Sequence, residues 1–94
     1  MIIVRNSFVA KAGQASKLAS QLKEAAMLAN MKNARILTDL TGDFNRVILE
    51  YEIEKVSELE DRMRQYASDT AVREKMKGYT DLYLTGSREL LQVV

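Results

Sequence analysis

The sequence contains no cysteine, histidine, tryptophan or proline. The missing cysteine and histidine exclude disulfide bonds, thiolate chemistry and the usual nucleophilic triads. Carboxylates are then the main ligands left for a metal, and they suit hard ions such as magnesium. The closest acidic group, Glu58, Glu60 and Asp61, lies at a predicted helix start, where the helix dipole favours acids in any case. We therefore expect no metal and no other cofactor.

The chain also lacks an excess of either charge, since its net charge is +1. No long-range field then draws it to nucleic acid or to an anionic membrane, and we expect neither as a partner. The strand Val47–Ile53 carries two carboxylates and one tyrosine, which argues against the base-stacking surface of an RNA-recognition domain. Only three apolar residues, Ile2–Val4, precede the first charge, too few for a signal peptide or a membrane span. We expect a soluble, cytoplasmic protein.

The hydrophobic pattern is the main positive signal. Along the chain it alternates, turns helical, alternates twice more, turns helical again and alternates to the end. This order predicts one domain over residues 1–94 with an α+β, ferredoxin-like βαββαβ fold, in which two helices cover one face of an antiparallel four-stranded sheet. The predicted strands are Ile2–Ala10, Arg35–Thr41, Phe44–Glu54 and Tyr79–Val94.

Turn and cap signals place the remaining boundaries. The first helix starts near Gln14, carries a stripe of alanine and leucine, and ends near Asn30. The second opens with the capping-box pattern Ser57–Glu60, is interrupted at residues 68–70 and continues to residue 78. A two-residue Gly42–Asp43 hairpin joins the middle strands, and Gly86 predicts a bulge or bend in the last strand.

Both faces of the strands carry apolar residues, although the helices of such a fold cover only one face. The residues expected on the uncovered face are Ile3, Val9, Leu37, Ile48 and either Leu91 or Val93. A second copy of the chain, joined through the sheet faces, would cover them, and we expect a homodimer. The alternative is that these are ordinary scattered aliphatic residues that need no partner.

The same face carries charges. Glu50 and Glu52 share it with Arg46, and Arg5, Arg35 or Arg88 could lie near them. Ion pairs buried in a dimer interface explain this set more simply than a metal site does.

One polar residue falls in an apolar setting. Asn6 lies between Val4 and Phe8 on the strand face that meets the helices. Tyr51 and Tyr66 could approach the same space, and an amide with two phenols can orient a small organic ligand. The predicted ligand-binding residues are Asn6, Phe8, Tyr51, Met63 and Tyr66. The alternative is that Asn6 satisfies a local backbone group and that both tyrosines belong to the core.

The segments Arg5–Gly13 and Tyr79–Leu90, together with the element order, resemble the dimeric α/β-barrel superfamily. This group contains antibiotic-biosynthesis monooxygenases and NIPSNAP-like proteins. The resemblance implies two ferredoxin-like protomers whose sheets join into one dimeric α/β barrel, with a ligand cleft in each between sheet and helices.

Asn6 and Gly13 also match the spacing of the haem-degrading branch of this group. That branch needs a tryptophan and a histidine from the second helical region, where this chain has Arg62 and Met76, so haem degradation is disfavoured. The main hypothesis is a homodimeric domain that binds a small organic ligand. One alternative is a cofactor-independent monooxygenase or isomerase acting on a small aromatic or polyketide-like substrate. Another is a structural or regulatory interaction module without a ligand.

Overall fold

A computed structural model describes residues 1–94 and contains four strands and three α-helices. The strands are β1 (Ile2–Ala10), β2 (Lys32–Thr38), β3 (Arg46–Ile53) and β4 (Tyr83–Gln92). The helices are α1 (Ala15–Leu28), α2 (Val56–Ser68) and α3 (Thr70–Lys75), and a short 3₁₀ helix covers Tyr79–Asp81. None of the helices combines the length and apolar character needed to cross a bilayer.

The four strands form one sheet in the order β2-β3-β1-β4, and every neighbouring pair is antiparallel. The helices lie on one face of this sheet, which gives a slab of 35 × 34 × 19 Å with the other face uncovered. This confirms the predicted α+β ferredoxin-like fold.

The core lies between the two central strands and α1. Val4 on β1 and Val47 on β3 are fully buried, and so is Leu18 on α1. The predicted face assignment is confirmed on both strands. The buried apolar residues of β3 recur at every second position from Val47 to Ile53, and the two buried residues of β1, Val4 and Ala10, lie on the predicted face.

Alanine lets α1 approach the sheet closely. Ala25 and Ala26 are buried beside Leu22, as the predicted stripe requires. The helix ends where the sequence indicated, because Asn30 adopts the left-handed conformation with φ 53°. In this conformation the backbone amide of Met31 donates to the carbonyl of Ala26 and closes the last turn.

The second helical region is interrupted where the sequence predicted, and α3 ends at Lys75, before the predicted residue 78. It contains two helices, because Asp69 is extended at φ −79° and ψ 112°, and its side chain accepts from the Val72 amide at 3.2 Å to start α3. The predicted capping box is wrong. The N-cap of α2 is Lys55, Ser57 lies inside the first turn, and only Glu58 reaches back, to the amide of Glu54 at 3.4 Å.

The connection between β2 and β3 is longer than the predicted two-residue hairpin. Its seven residues run from Asp39 to Asn45. Asn45 has φ 64° and lies directly before the first residue of β3, and Arg46 pairs with Asp39 at 3.0 Å across the base of the loop. The strand β2 also starts three residues earlier than predicted, since Lys32 already pairs with Glu52.

The last strand begins at Tyr83 rather than at Tyr79, because residues 79–81 form the 3₁₀ helix. The bulge predicted at Gly86 is wrong, since Gly86 pairs in register with Phe8 and the register shifts nearer the start of the strand. Gly86 is needed for close approach instead: a Cβ there would lie 3.2 Å from the Phe8 ring.

Candidate functional site

A cavity of about 290 Å³ lies between the sheet and the helices. Ten of its 13 lining residues are hydrophobic. The lining residues are Asn6, Phe8, Leu22, Ala25, Met31, Leu49, Tyr66, Ala67, Val72, Arg73, Met76, Tyr79 and Arg88. β1, β3, β4 and all three helices therefore contribute to one space.

Weak packing of α2 against the sheet explains why side chains do not fill this space. No residue of α2 is buried, and Val72 is the only buried residue of α3. The small side chains of Ala25 and Ala67 face the same cavity. The helix–sheet interface is therefore not packed solid at this point, in contrast to the core around Leu18.

The structure brings three of the five predicted ligand-binding residues to the cavity. Asn6, Phe8 and Tyr66 line it. Tyr51 is 4% exposed and belongs to the core, and it is not among the lining residues. Met63 lies at the exposed surface of α2, also outside the lining.

The carboxamide oxygen of Asn6 already accepts a hydrogen bond from Arg88. Arg88 Nε donates to Asn6 Oδ1 at 2.7 Å, and Arg88 Nη1 donates to Met63 Sδ at 3.2 Å. The β1–β4 register places Arg88 directly opposite Asn6, on the same face of the sheet. Arg88 therefore links β1, β4 and α2 at the edge of the cavity.

Tyr66 contributes a buried hydroxyl for which the chain provides no hydrogen-bond partner. Leaving such a group unpaired costs roughly 1–3 kcal/mol. Burial raises the pKa of Tyr66, and the nearby Arg62 guanidinium only partly opposes this. The hydroxyl is therefore neutral and able to donate or accept one hydrogen bond.

The rings of Phe8 and Tyr79 also line the cavity, and Tyr83 packs against both from outside the lining. The ring centroids of Phe8 and Tyr83 are 5.0 Å apart, and those of Tyr79 and Tyr83 are 5.8 Å apart. Burial raises the pKa of Tyr79, so its hydroxyl also stays protonated at neutral pH. The rings offer a planar ligand stacking and edge contacts.

The charged groups of the cavity are all of one sign. Arg73 and Arg88 line it, and no carboxylate does. Neither arginine takes part in any of the ion pairs that the chain forms. Neither arginine was among the predicted ligand-binding residues, because the strand and helix register that bring them to Asn6 and Tyr66 depend on tertiary packing.

The outer face of the sheet carries a separate cluster around Glu50. This carboxylate is 3% exposed, and it accepts from Arg5 Nε at 2.6 Å and from Arg35 Nη2 at 2.8 Å. Burial raises the pKa of Glu50, but the hydrogen bonds and charges of Arg5 and Arg35 outweigh burial and hold that pKa below its ordinary value. Of the predicted neighbours, Arg46 and Arg88 pair elsewhere.

The Glu50 cluster predicts a specific pH dependence. Because its pKa is lower in the folded chain, Glu50 stabilises the fold above its unfolded pKa, and this stabilisation disappears as the pH falls through the folded pKa. Both arginines are partly exposed, so solvent screening keeps the effect small. Between about pH 6 and pH 3, we expect the free energy of unfolding to fall by roughly 1 kcal/mol more in the wild type than in Glu50→Gln. Urea unfolding at both pH values checks this, and parallel pH profiles would contradict it.

The acidic residues at the start of α2 have structural partners. Glu58 pairs with Arg62 at 3.4 Å, while Glu60 and Asp61 both pair with Arg64. The chain has no group of three or more histidine, cysteine or acidic side chains arranged to hold a metal.

The fold and the cavity together define an α+β protein of the ferredoxin-like class. No protein-family model matches the sequence, and a comparison with curated proteins finds no match either. Solved structures do match, at low sequence identity. They include NIPSNAP domain proteins and antibiotic biosynthesis monooxygenase-like proteins.

A NIPSNAP domain protein from Burkholderia xenovorans superposes with a TM-score of 0.84 at 12% identity, over 100% of this chain and 95% of that chain. A NIPSNAP family protein from Agrobacterium tumefaciens gives 0.85 at 12% identity, over 99% and 92%. A candidate antibiotic biosynthesis monooxygenase from Chloroflexus aurantiacus gives 0.76 at 14% identity, over 99% and 93%. The likeness predicted from the sequence is confirmed for the fold.

Proposed function

We propose that this protein is a homodimeric domain that binds a small organic molecule in the cavity between its sheet and its helices. The observation that carries the proposal is a mostly apolar cavity whose wall also holds the polar side chains of Asn6, Arg73 and Arg88. A ligand with one polar group beside an apolar body would pair with one of these side chains and fill the space.

The size of the cavity limits the ligand. A volume of about 290 Å³ is at the lower end of the range for small-molecule pockets. The ring of Phe8 on the cavity wall favours a flat molecule. A compound with one or two fused rings meets both conditions.

The chemistry of the lining favours binding over acid–base catalysis. A general base works best when its pKa lies near the operating pH. The cavity is lined by two guanidinium groups and by two tyrosines, Tyr66 and Tyr79. Burial raises the pKa values of the two tyrosines. The two tyrosines keep their protons at neutral pH, so they orient a ligand and do not take a proton from it.

The proposed dimer is supported by the surface that a single chain exposes. Its accessible area is 6313 Å², whereas a monomeric protein of this mass typically exposes about 5,500 Å². The difference of about 800 Å² equals one partner's share of a standard interface. Ile3, Val9 and Ile48 on the uncovered face of the sheet, together with the exposed Leu37 and Leu91, offer an apolar surface for a second copy.

Blocking the cavity tests the binding proposal. We chose 2-naphthol as the probe because it is uncharged, has two fused rings and carries one hydroxyl as its polar group. We expect the wild type to bind it with a Kd of about 100 µM, or about 0.5 kcal/mol per ligand atom. In Ala67→Trp the indole would occupy the cavity, and the affinity should fall at least about tenfold. Isothermal titration calorimetry measures both.

Ala71→Trp is the matched control. Ala71 is exposed on α3 and does not line the cavity, so the same enlargement there should leave binding unchanged. Circular dichroism checks that both variants fold. Absence of 2-naphthol binding by a folded wild type, or equal affinity in both variants, would overturn the proposal.

A further inference from the structure

We propose that the ligand of this cavity is a small organic carboxylate, whose anionic group Arg88 binds while its apolar body fills the cavity. This inference rests on the proposed binding function and specifies the ligand class. It follows from the charge at the cavity, from the hydrogen bonds that Arg88 leaves unused, and from the way in which Arg88 is held.

The charge of the cavity wall is the first observation. Arg73 and Arg88 both line it, no acidic side chain does, and neither arginine has a carboxylate partner elsewhere in the chain. The other arginines of the chain that lie near an acid are paired with it, as Arg5 and Arg35 are with Glu50. Two unpaired guanidinium groups beside one apolar space favour an anionic ligand over a neutral or cationic one.

The hydrogen-bonding capacity of Arg88 is the second observation. A guanidinium has five N–H donors, of which Arg88 uses one for Asn6 Oδ1 and one for Met63 Sδ, so three remain. None of the remaining donors has an acceptor within the chain. A carboxylate presents two oxygens in the geometry that matches two parallel N–H groups, which a hydroxyl or a single carbonyl does not.

The way in which Arg88 is held is the third observation. A long side chain on an exposed edge strand ordinarily loses considerable rotamer freedom when it binds a ligand. Here the contacts to Asn6 on β1 and to Met63 on α2 fix the guanidinium before a ligand arrives. The ordering cost on binding is therefore smaller, and Asn6 acts as a positioning residue for Arg88.

A purely structural role for Arg88, as a link between β4 and α2, makes a different prediction. In that case, loss of the guanidinium would loosen the cavity and weaken every ligand to a similar extent. The proposed role weakens only ligands with a carboxylate. A pair of probes that differ in charge alone distinguishes the two.

The experiment compares 2-naphthoate with 2-naphthamide, which has the same shape and no charge, by isothermal titration calorimetry. For the wild type we expect the acid to bind about tenfold more tightly than the amide. In Arg88→Gln the affinity for the acid should fall to within about twofold of the affinity for the amide. The affinity for the amide should not change. Arg73→Gln should lower the preference for the acid by a smaller factor.

Arg64→Gln is the matched control, because Arg64 is an exposed arginine of α2 that does not line the cavity. It should keep the full preference for the acid. If Arg88→Gln does not fold, the wild type still tests the proposal. Raising the salt concentration from about 20 to about 500 mM should weaken binding of the acid and leave binding of the amide unchanged.

Equal affinity of the wild type for the acid and the amide would overturn the carboxylate proposal while leaving the binding function intact. If Arg88→Gln lost affinity for the acid and for the amide to the same extent, this would also overturn the carboxylate proposal. Arg88 would then have the structural role. If the wild type bound neither the acid, nor the amide, nor 2-naphthol, the proposed binding function itself would be wrong.

Discussion

Replacing Ile48 with aspartate is expected to convert the protein from a dimer to a monomer. Ile48 lies on a central strand, between Ser7 and Leu37 on the outer face of the sheet, where the proposed partner would cover it. A carboxylate buried there without a new partner costs several kcal/mol, because the neighbouring guanidinium groups already hold Glu50 and Asp39. The dimer dissociation constant should therefore rise by at least about a hundredfold. Sedimentation velocity over a range of concentrations measures this.

The control for this variant adds the same charge on the opposite layer of the molecule. Ser16 is exposed in the first turn of α1, where a negative charge interacts favourably with the helix dipole. Ser16→Asp should sediment as the wild type does. A wild type that is monomeric at all accessible concentrations, or an Ile48→Asp variant that remains dimeric, would contradict the proposed interface.

Leu18→Ala is expected to have the largest effect on the stability of the fold. Leu18 is fully buried where α1 meets β1 and β3, and the cavity left by its side chain could close only by moving that helix. Substitutions of this type cost about 2–5 kcal/mol. For a domain with a core this small, we expect about 3 kcal/mol, measured by urea unfolding at a fixed protein concentration.

Leu40→Ala is the matched control, since it deletes the same atoms from a residue that is 99% exposed. Its effect should stay within about 0.5 kcal/mol. If the two variants lost similar stability, the packing of α1 on the sheet would have to be different from that described above. The comparison also reports on the candidate site, because α1 forms one of its walls.

The fold was predictable because each central element carries its own periodicity. The first strand has the predicted bounds Ile2–Ala10, and the buried face of β3 follows from alternation alone. The boundaries that failed depend on backbone conformations that alternation does not encode. Asn33 and Asn45 have positive φ values. Asn33 lies at the register irregularity of β2 between Lys32 and Arg35, and Asn45 lies directly before β3.

The candidate site was predictable in part, for a related reason. Asn6 and Phe8 lie on the helix-facing side of β1, and the alternation of side chains along this strand predicts that placement. Arg88 was assigned to the outer face near Glu50, whereas the β1–β4 register places it opposite Asn6. That register follows from an irregularity near residue 84 and from the close contact of Gly86 with Phe8, which pairing and packing determine together.

Native mass spectrometry with added 2-naphthoate tests the central claim most directly, because it reads assembly and ligand binding in one spectrum. The protein has a mass of 10.7 kDa, so the account predicts a species of twice that mass with up to two bound ligands. The Ile48→Asp variant should appear as a monomer in the same conditions. A wild type that appears only as a ligand-free monomer would contradict both the proposed dimer and the proposed binding site.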